Sequence, residues 1–280
     1  MSNVLSLNIG IAGCGTMGLP MLEVLLKNKI KACGYDIKTK EFFPTIQNNF
    51  ISSKKEFFSK CDLIISVVRD IKQTIDLCEG KEGLFETKTP KILIICSTLS
   101  PRFLRDYFQK SPPNITMIEA PMSGAPMRAK DATLTFMVGS TKNQFDNIFP
   151  LLEILGQKIQ HIGDFGSGMS VKVLNNFVAS CSVLAVRHVL SEAKNLNITT
   201  NQLLNILNCS SGHNWFSENL NNIDWAKESY NNDNTIAILE KDVNSLIDGL
   251  KNSGSKSTNA MVNFQKALLL GLKNIPKYPE

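Results

Sequence analysis

Gly13-Cys14-Gly15-Thr16-Met17-Gly18 follows an apolar run, Leu7 to Ala12, and precedes a helical pattern that begins near Leu19-Pro20. Strand, then GxGxxG, then helix is an arrangement for binding a pyrophosphate. The first glycine permits a tight turn, the second lets the backbone approach the anion, and the third lets helix and strand pack closely. The helix N-terminus adds N–H groups and a favourable dipole. Thr16 and Met17 complete the loop, and Pro20 is tolerated in a first helical turn, where its missing N–H has no partner to lose. Asp36 lies 18 residues after Gly18, at the end of the second apolar run. A carboxylate there accepts hydrogen bonds from the adenosine ribose hydroxyls and repels a 2′-phosphate, which predicts NAD over NADP. Lys38 and Lys40 follow closely enough to keep NADP open. Alone, the glycines would suit a plain connecting turn and Asp36 an ordinary turn. Their joint spacing favours the dinucleotide.

A second pair of candidates is Lys172 and Asn176, four apart in a long helical pattern and therefore on one helix face. Reduction of a carbonyl needs a proton delivered to the nascent alkoxide. A lysine does this once desolvation and nearby positive charge bring an amine from about 10 toward roughly 7 or 8. Taken by itself, such a lysine reads more readily as a solvated helix residue.

The elements that must position these groups are legible from periodicity. Short β-branched runs recur between helical patterns at Leu7–Ala12, Ile30–Tyr35, Leu63–Val68, Lys91–Cys96, Ile115–Glu119 and Thr133–Val138, with a further strand at Lys158–Ile162. Runs apolar at almost every position, such as residues 63–68 and 92–95, predict a parallel sheet covered on both faces. Residues 1–9 are expected to feed a strand rather than a targeting signal, having no basic leader. After Gly168 the pattern becomes helical, at Met169–Leu196, Thr200–Asn208, Thr235–Leu250 and Ser257–Leu272, with asparagine-rich loops at Asn219–Asn222 and Asn231–Asn234. The predicted fold is α/β: an N-terminal doubly wound, Rossmann-type sheet over residues 1–165, then an all-α C-terminal domain over 166–280 that includes a long interdomain helix.

Composition narrows the function. With 43% hydrophobic and 20% charged residues, the 280-residue chain falls in the globular range. Its basic residues are scattered, and no aromatic–basic interleaving points to nucleic acid. A net charge of +5 suits a small anionic substrate. Seven cysteines without a CxxC pair predict reduced, mostly buried thiols and a cytoplasmic protein, and three separated histidines predict no metal. The apolar stretch Val173–Leu190 is interrupted by Asn175, Asn176, Arg187 and His188, so a buried helix is expected rather than a membrane span.

Read as GxGxMGxP, Gly13–Pro20 resembles the β-hydroxyacid dehydrogenases, the group that includes 3-hydroxyisobutyrate dehydrogenases and related semialdehyde reductases. Three further segments agree in order: Ala120-Pro121-Met122-Ser123-Gly124-Ala125 with the strand Ala132–Gly139, Gly166–Asn176, and Leu239-Glu240-Lys241-Asp242. The resemblance implies that Lys172 is the catalytic acid/base, that Asn176 positions the reacting oxygen, and that Ser123 and Gly124 bind a substrate carboxylate. It further implies that Thr98 and Lys241 contact cofactor or substrate, that Val67 and Val68 line the cofactor side of the sheet edge, and that the chain forms a homodimer or homotetramer. The sequence departs from the family at Ala125-Pro126, where a second glycine is usual. If that position needs a positive φ, alanine costs about 1 kcal/mol. Two rivals stand beside an NAD-linked dehydrogenase. An imine reductase shares the architecture but typically lacks the lysine, and a non-catalytic dinucleotide sensor or scaffold would need neither Lys172 nor Asn176.

Overall fold

The computed structural model describes residues 3–251, 253, 254 and 256–279. The chain divides into two compact units, Met1–Lys172 and Val173–Glu280.

In the first unit the order is β1 (Ile9–Ala12), α1 (Gly18–Lys27), β2 (Ala32–Tyr35), α2 (Lys54–Lys60), β3 (Leu63–Ser66), α3 (Ile71–Glu79), β4 (Lys91–Ile95), α4 (Pro101–Phe108) and β5 (Ile115–Glu119). Then come β6 (Met122–Ser123), α5 (Pro126–Lys130), β7 (Leu134–Gly139), α6 (Lys142–Leu155), β8 (Gly156–Gly163) and the start of α7 (Ser167–Ala193). The strands form one sheet in the order β2-β1-β3-β4-β5-β7-β6, with β8 also pairing β7. From β2 to β5 every pairing is parallel. Side chains alternate between faces: Ile94 and Ile65 enter one core with Met21, Leu22 and Leu25 of α1, while Leu93, Ile95 and Ile64 enter the other with Phe57 and Phe58 of α2 and Leu104 of α4. This two-faced burial is why those strands read as continuous apolar runs.

The sheet departs from the expected doubly wound parallel form beyond β5. β7 runs antiparallel to β5 and to the short β6, and only β8 restores a parallel pairing, to β7. The two-residue β6 is too short to leave a periodic signal. The N-terminal strand also begins later than expected. Met1 and Ser2 lie outside the described residues, Val4–Ser6 is a 3₁₀ turn capped by the Asn3 side chain, and β1 starts at Ile9.

The second unit contains α7 from Val173 onward, α8 (Thr200–Cys209), α9 (Trp215–Asn219), α10 (Thr235–Leu250) and α11 (Asn259–Lys273). Its division from the first unit falls within α7, after Lys172, whereas the sequence changes character at residue 166. Val183, Val186 and Leu190 of α7 share a core with Leu204, Phe216, Ile236, Val243, Leu268 and Leu272. Thr199 and Gln202 form a capping box at α8, and the Asn234 side chain caps α10 through the N–H groups of Ile236 and Ala237. The expected loop at Asn219–Asn222 is instead helical. Asn214 caps α9, and buried Leu220 pulls the following 3₁₀ turn into the core.

By length and hydropathy alone, residues 167–196 would suffice to cross a membrane. Within the helical unit, however, the wholly buried Arg187 donates from Nη1 to the carbonyls of Ala226 and Glu228 at 2.7 and 2.9 Å and from Nη2 to that of Pro276. A guanidinium locked onto three backbone carbonyls marks α7 as a core helix of this unit.

Candidate dinucleotide and acid/base site

The chain passes from β1 to β2 on one side and later to β3 on the other, so the carboxyl ends of β1 and β3 form the switch point of the sheet. Such a point is where open α/β sheets bind ligands. Gly13 follows β1, Asp36 follows β2, Val67 and Val68 follow β3, and Thr98 follows β4; with parallel pairing, all stand at one edge.

Each glycine is held to its type for a different reason. Gly13 has φ +94°, and a Cβ on it would lie 2.8 Å from the Val67 carbonyl oxygen. At Gly18 a Cβ would fall 1.9 Å from the Gly13 carbonyl oxygen, so α1 seats on the loop only without a side chain. At Gly15 a Cβ would meet nothing within 4 Å. This exposed glycine is not demanded by packing, and the open face it leaves fits the close approach of a pyrophosphate. Met17 offers α1 no side-chain cap, and the exposed Thr16 sits beside it.

Asp36 is oriented by backbone donors. Its Oδ2 accepts from the Cys14 N–H at 2.7 Å and its Oδ1 from the Lys38 N–H at 2.9 Å. The carboxylate therefore stands within hydrogen-bond reach of the glycine loop, with the Lys38 ammonium over the Phe42 ring 5.5 Å away. Cys14 lies beneath the loop. Burial, reinforced by the Asp36 charge, pushes its thiol up to about 12, which leaves it inert at neutral pH.

Ser123 lies on β6, and Gly124 follows with φ +140°, a conformation that needs glycine. Ala125 has φ −67° and ψ 169°, and Pro126 opens α5 as its first residue. Ala125 thus does not need the positive φ that would have strained it. The positive φ falls one residue earlier, and Ala-Pro serves as an unstrained helix entry.

Lys172 is 7% exposed, and Asn176 lies one turn further along the unbroken α7. In the helical unit the Asn176 Nδ2 donates to Asp242 Oδ2 at 2.5 Å, and its Oδ1 accepts from Asn175 Nδ2 at 3.1 Å. Asp242 is buried on α10, and its Oδ1 lies 2.9 Å from Lys241 Nζ. Lys241 is a site candidate from the sequence, whereas Asp242 carries no role there. The signal was its place in Leu239–Asp242, beside a buried helix face. A second residue without an assigned role is Glu119, wholly buried at the end of β5, whose carboxylate accepts hydrogen bonds from the first turn of α7.

The predicted residues thus fall in two groups. The cofactor candidates with Ser123, Gly124 and Lys172 belong to the first unit, and Asn176 with Lys241 belongs to the second. Among the described residues no cluster of three or more His, Cys, Asp or Glu has metal-binding geometry.

Residues 8–163 match the NAD-binding domain of 6-phosphogluconate dehydrogenase, and residues 166–268 match the NAD-binding region of NADP-dependent 3-hydroxyisobutyrate dehydrogenase. The chain belongs to the β-hydroxyacid dehydrogenase family. Its cofactor is accordingly a nicotinamide dinucleotide, and the glycine loop, Asp36 and the sheet edge fit one. Mitochondrial 3-hydroxyisobutyrate dehydrogenase of Rattus norvegicus is 30% identical over 76% of this chain, which spans 65% of that protein's length. A protein of Dictyostelium discoideum named as a probable mitochondrial 3-hydroxyisobutyrate dehydrogenase is 30% identical over 91% of this chain and 82% of its own. Among solved structures, Mycobacterium tuberculosis 3-hydroxyisobutyrate dehydrogenase with L-serine superposes with a TM-score of 0.74 at 21% identity, covering 96% of this chain and 95% of its own. An imine reductase variant of Myxococcus stipitatus with NAD+ reaches 0.57 at 12% identity, covering 97% and 96%. Both enzyme types share the fold, so fold alone does not separate the two readings.

Proposed function

We propose that this member of the β-hydroxyacid dehydrogenase family interconverts a small β-hydroxy acid and its semialdehyde, with Lys172 as acid/base. The observation that carries the reading is the Asn176–Asp242 hydrogen bond. It fixes the orientation of an amide one helical turn beyond a buried lysine, an arrangement that a dinucleotide sensor or scaffold does not require. The presence of Lys172 also favours this reading over an imine reductase.

When bound, the nicotinamide ring supplies or accepts hydride. Gly13, Gly15 and Gly18 with the N-terminus of α1 hold the pyrophosphate, Asp36 takes the adenosine ribose, and Val67, Val68 and Thr98 flank the cofactor along the sheet edge. The Asp36 charge favours NAD(H) over NADP(H). Ser123 and Gly124 bind the substrate carboxylate and Asn176 orients the reacting oxygen. In the reductive direction Lys172 Nζ gives its proton to that oxygen, and in the oxidative direction it accepts the proton back. Lys241, paired with Asp242, contacts the cofactor or the substrate beside it. The substrate is small and anionic, and the working protein is a cytoplasmic homodimer or homotetramer.

The test is steady-state oxidation of 3-hydroxyisobutyrate, L-serine and 4-hydroxybutyrate with NAD, and reduction of the matching semialdehydes with NADH, by wild type and Lys172→Ala. The expected result is turnover of at least one pair, lost by a factor of 100 or more in the variant while NADH still binds. Turnover undiminished in Lys172→Ala refutes the assignment.

A further inference from the structure

Glu119 ends β5, and the next five residues, Ala120 to Gly124, are the segment that carries Ser123. Its side chain is fully buried. One oxygen, Oε1, accepts from the backbone N–H groups of Gly166, Gly168 and Met169 at 2.8, 2.7 and 3.2 Å. These donors belong to the turn and first residues of α7, and Lys172 follows Gly168 by one helical turn. A helix end leaves its first N–H groups unpaired, and an acidic acceptor there is favoured by both hydrogen bonding and the dipole.

The surroundings are cut to admit this contact. Gly139 faces Glu119 across the β5–β7 bridge, and a Cβ there would fall 1.9 Å from Oε1. A Cβ on Gly168 would fall 2.2 Å from the Met137 carbonyl oxygen, and Gly166 has φ +99°. Three positions thus exclude side chains where the helix is brought onto the carboxylate. Met169 then packs into the core beneath β4 and β5, with its sulfur 3.3 Å from the Leu99 N–H. The other oxygen, Oε2, is buried without a hydrogen-bond partner. Burying an acid so placed is costly, yet its length lets one side chain tie the end of β5 to the first turn of α7.

We propose that Glu119 is a positioning residue for the reaction, fixing Lys172 relative to the Ser123–Gly124 segment by joining the strand that launches that segment to the helix that carries the lysine. The proposal rests on the roles of Lys172 and Ser123 proposed above. Glu119 itself touches neither substrate nor cofactor. Its effect is geometric, and misplacing a catalytic group by about 1 Å costs about 100-fold in rate.

The experiment compares wild type, Glu119→Asp, Glu119→Gln, Lys172→Ala and the double variants E119D/K172A and E119Q/K172A. It measures kcat, KM, the NADH dissociation constant, Tm and amide hydrogen exchange over residues 164–173. Glu119→Asp withdraws the carboxylate by one methylene. It is expected to lower kcat about 100-fold, speed exchange across this segment at least 10-fold and leave NADH affinity within about threefold of wild type. Glu119→Gln keeps an acceptor at the same reach and restores kcat to within about 10-fold. In the K172A background, Glu119→Asp is expected to cost less than about threefold, because the group it positions is gone. Full activity of Glu119→Asp, or an equal loss with and without Lys172, overturns the proposal while the role of Lys172 stands. Full activity of Lys172→Ala overturns the catalytic reading and this proposal with it. Should Glu119→Asp fail to fold, Glu119→Gln and E119Q/K172A decide: a kcat loss of about three- to 10-fold that is seen only when Lys172 is present supports the role, and full activity, or an equal loss without Lys172, overturns it.

Discussion

Gly15→Ala and Gly18→Ala change one atom each, three residues apart, yet the structure predicts opposite consequences. At Gly18 the added methyl falls 1.9 Å from the Gly13 carbonyl oxygen, a backbone atom that yields only if α1 and the loop separate. Overpacking of this kind costs about 3 kcal/mol. In a domain the size of the first unit, 1 kcal/mol moves Tm by about 2–4 °C, so the loss is roughly 6–12 °C without any ligand. At Gly15 the methyl meets nothing within 4 Å, and the residue is not among those with positive φ. Reduced freedom of the unfolded chain then makes the substitution neutral or stabilising by about 0.5 kcal/mol. Its cost appears only when a pyrophosphate approaches that face, where a methyl is expected to weaken NADH by at least about 10-fold, or about 1.4 kcal/mol. Differential scanning fluorimetry without ligand and a fluorescence titration with NADH separate the two effects. The reasoning fails if Gly15→Ala binds NADH as wild type does, or if it lowers the ligand-free Tm as much as Gly18→Ala.

Four further outcomes are expected. Asp36→Ala should reduce the preference for NADH over NADPH by at least about 10-fold, because the charge that excludes a 2′-phosphate is removed; competitive titration of the two cofactors measures it. Arg187→Ala leaves three carbonyls of the helical unit without their donor and is expected to cost about 3 kcal/mol or more in denaturant unfolding, with no recovery in Arg187→Lys. Ala132 adopts φ 54°, so Ala132→Gly should stabilise the first unit by about 1 kcal/mol, read as an increased urea midpoint. Burial raises the Glu119 carboxyl to about 7, against the three N–H donors and the Arg105 charge, which act downward. A folded-state pKa above the unfolded one means that the native state binds the extra proton between about pH 4.5 and 7. Stability from this group therefore falls as pH rises through that window, by about 3 kcal/mol in total. The wild-type minus Glu119→Gln difference in unfolding free energy, followed from pH 4.5 to 8, should trace that decline, and a flat difference contradicts it.

What was legible in the sequence is what local periodicity and turn chemistry control. β5 and α10 match their predicted spans, and the other main strands differ mostly at their ends, because β1, β3 and β4 are buried on both faces and Gly80 and Gly156 mark the stops of α3 and α6. The GxGxxG loop is legible because its glycines stand at fixed spacing between a strand and a helix; Gly13 and Gly18 answer to steric demands, and Gly15 keeps an open face. Less legible was what depends on distant partners. The antiparallel turn at β6 and β7 arises from a strand two residues long, and the Asn219–Asn222 turn is held by a buried Leu220 that asparagine propensity does not reveal. Whether the loop needs a positive φ at Ala125 is not legible from the family's usual glycine there, because the conformation falls to Gly124 instead. The roles of Glu119 and Asp242 are not legible in the sequence because their partners, Gly166 and Asn176, lie 47 and 66 residues away.

The central claim is that Lys172 moves the proton. Its most direct test is the pH dependence of single-turnover hydride transfer, followed by NADH absorbance with the best substrate of the panel, in wild type and Lys172→Ala. The account predicts a lysine-dependent ionisation in the wild-type rate and a variant that binds NADH normally but transfers hydride at least about 100-fold more slowly. A variant that keeps both the wild-type rate and its pH profile would contradict it.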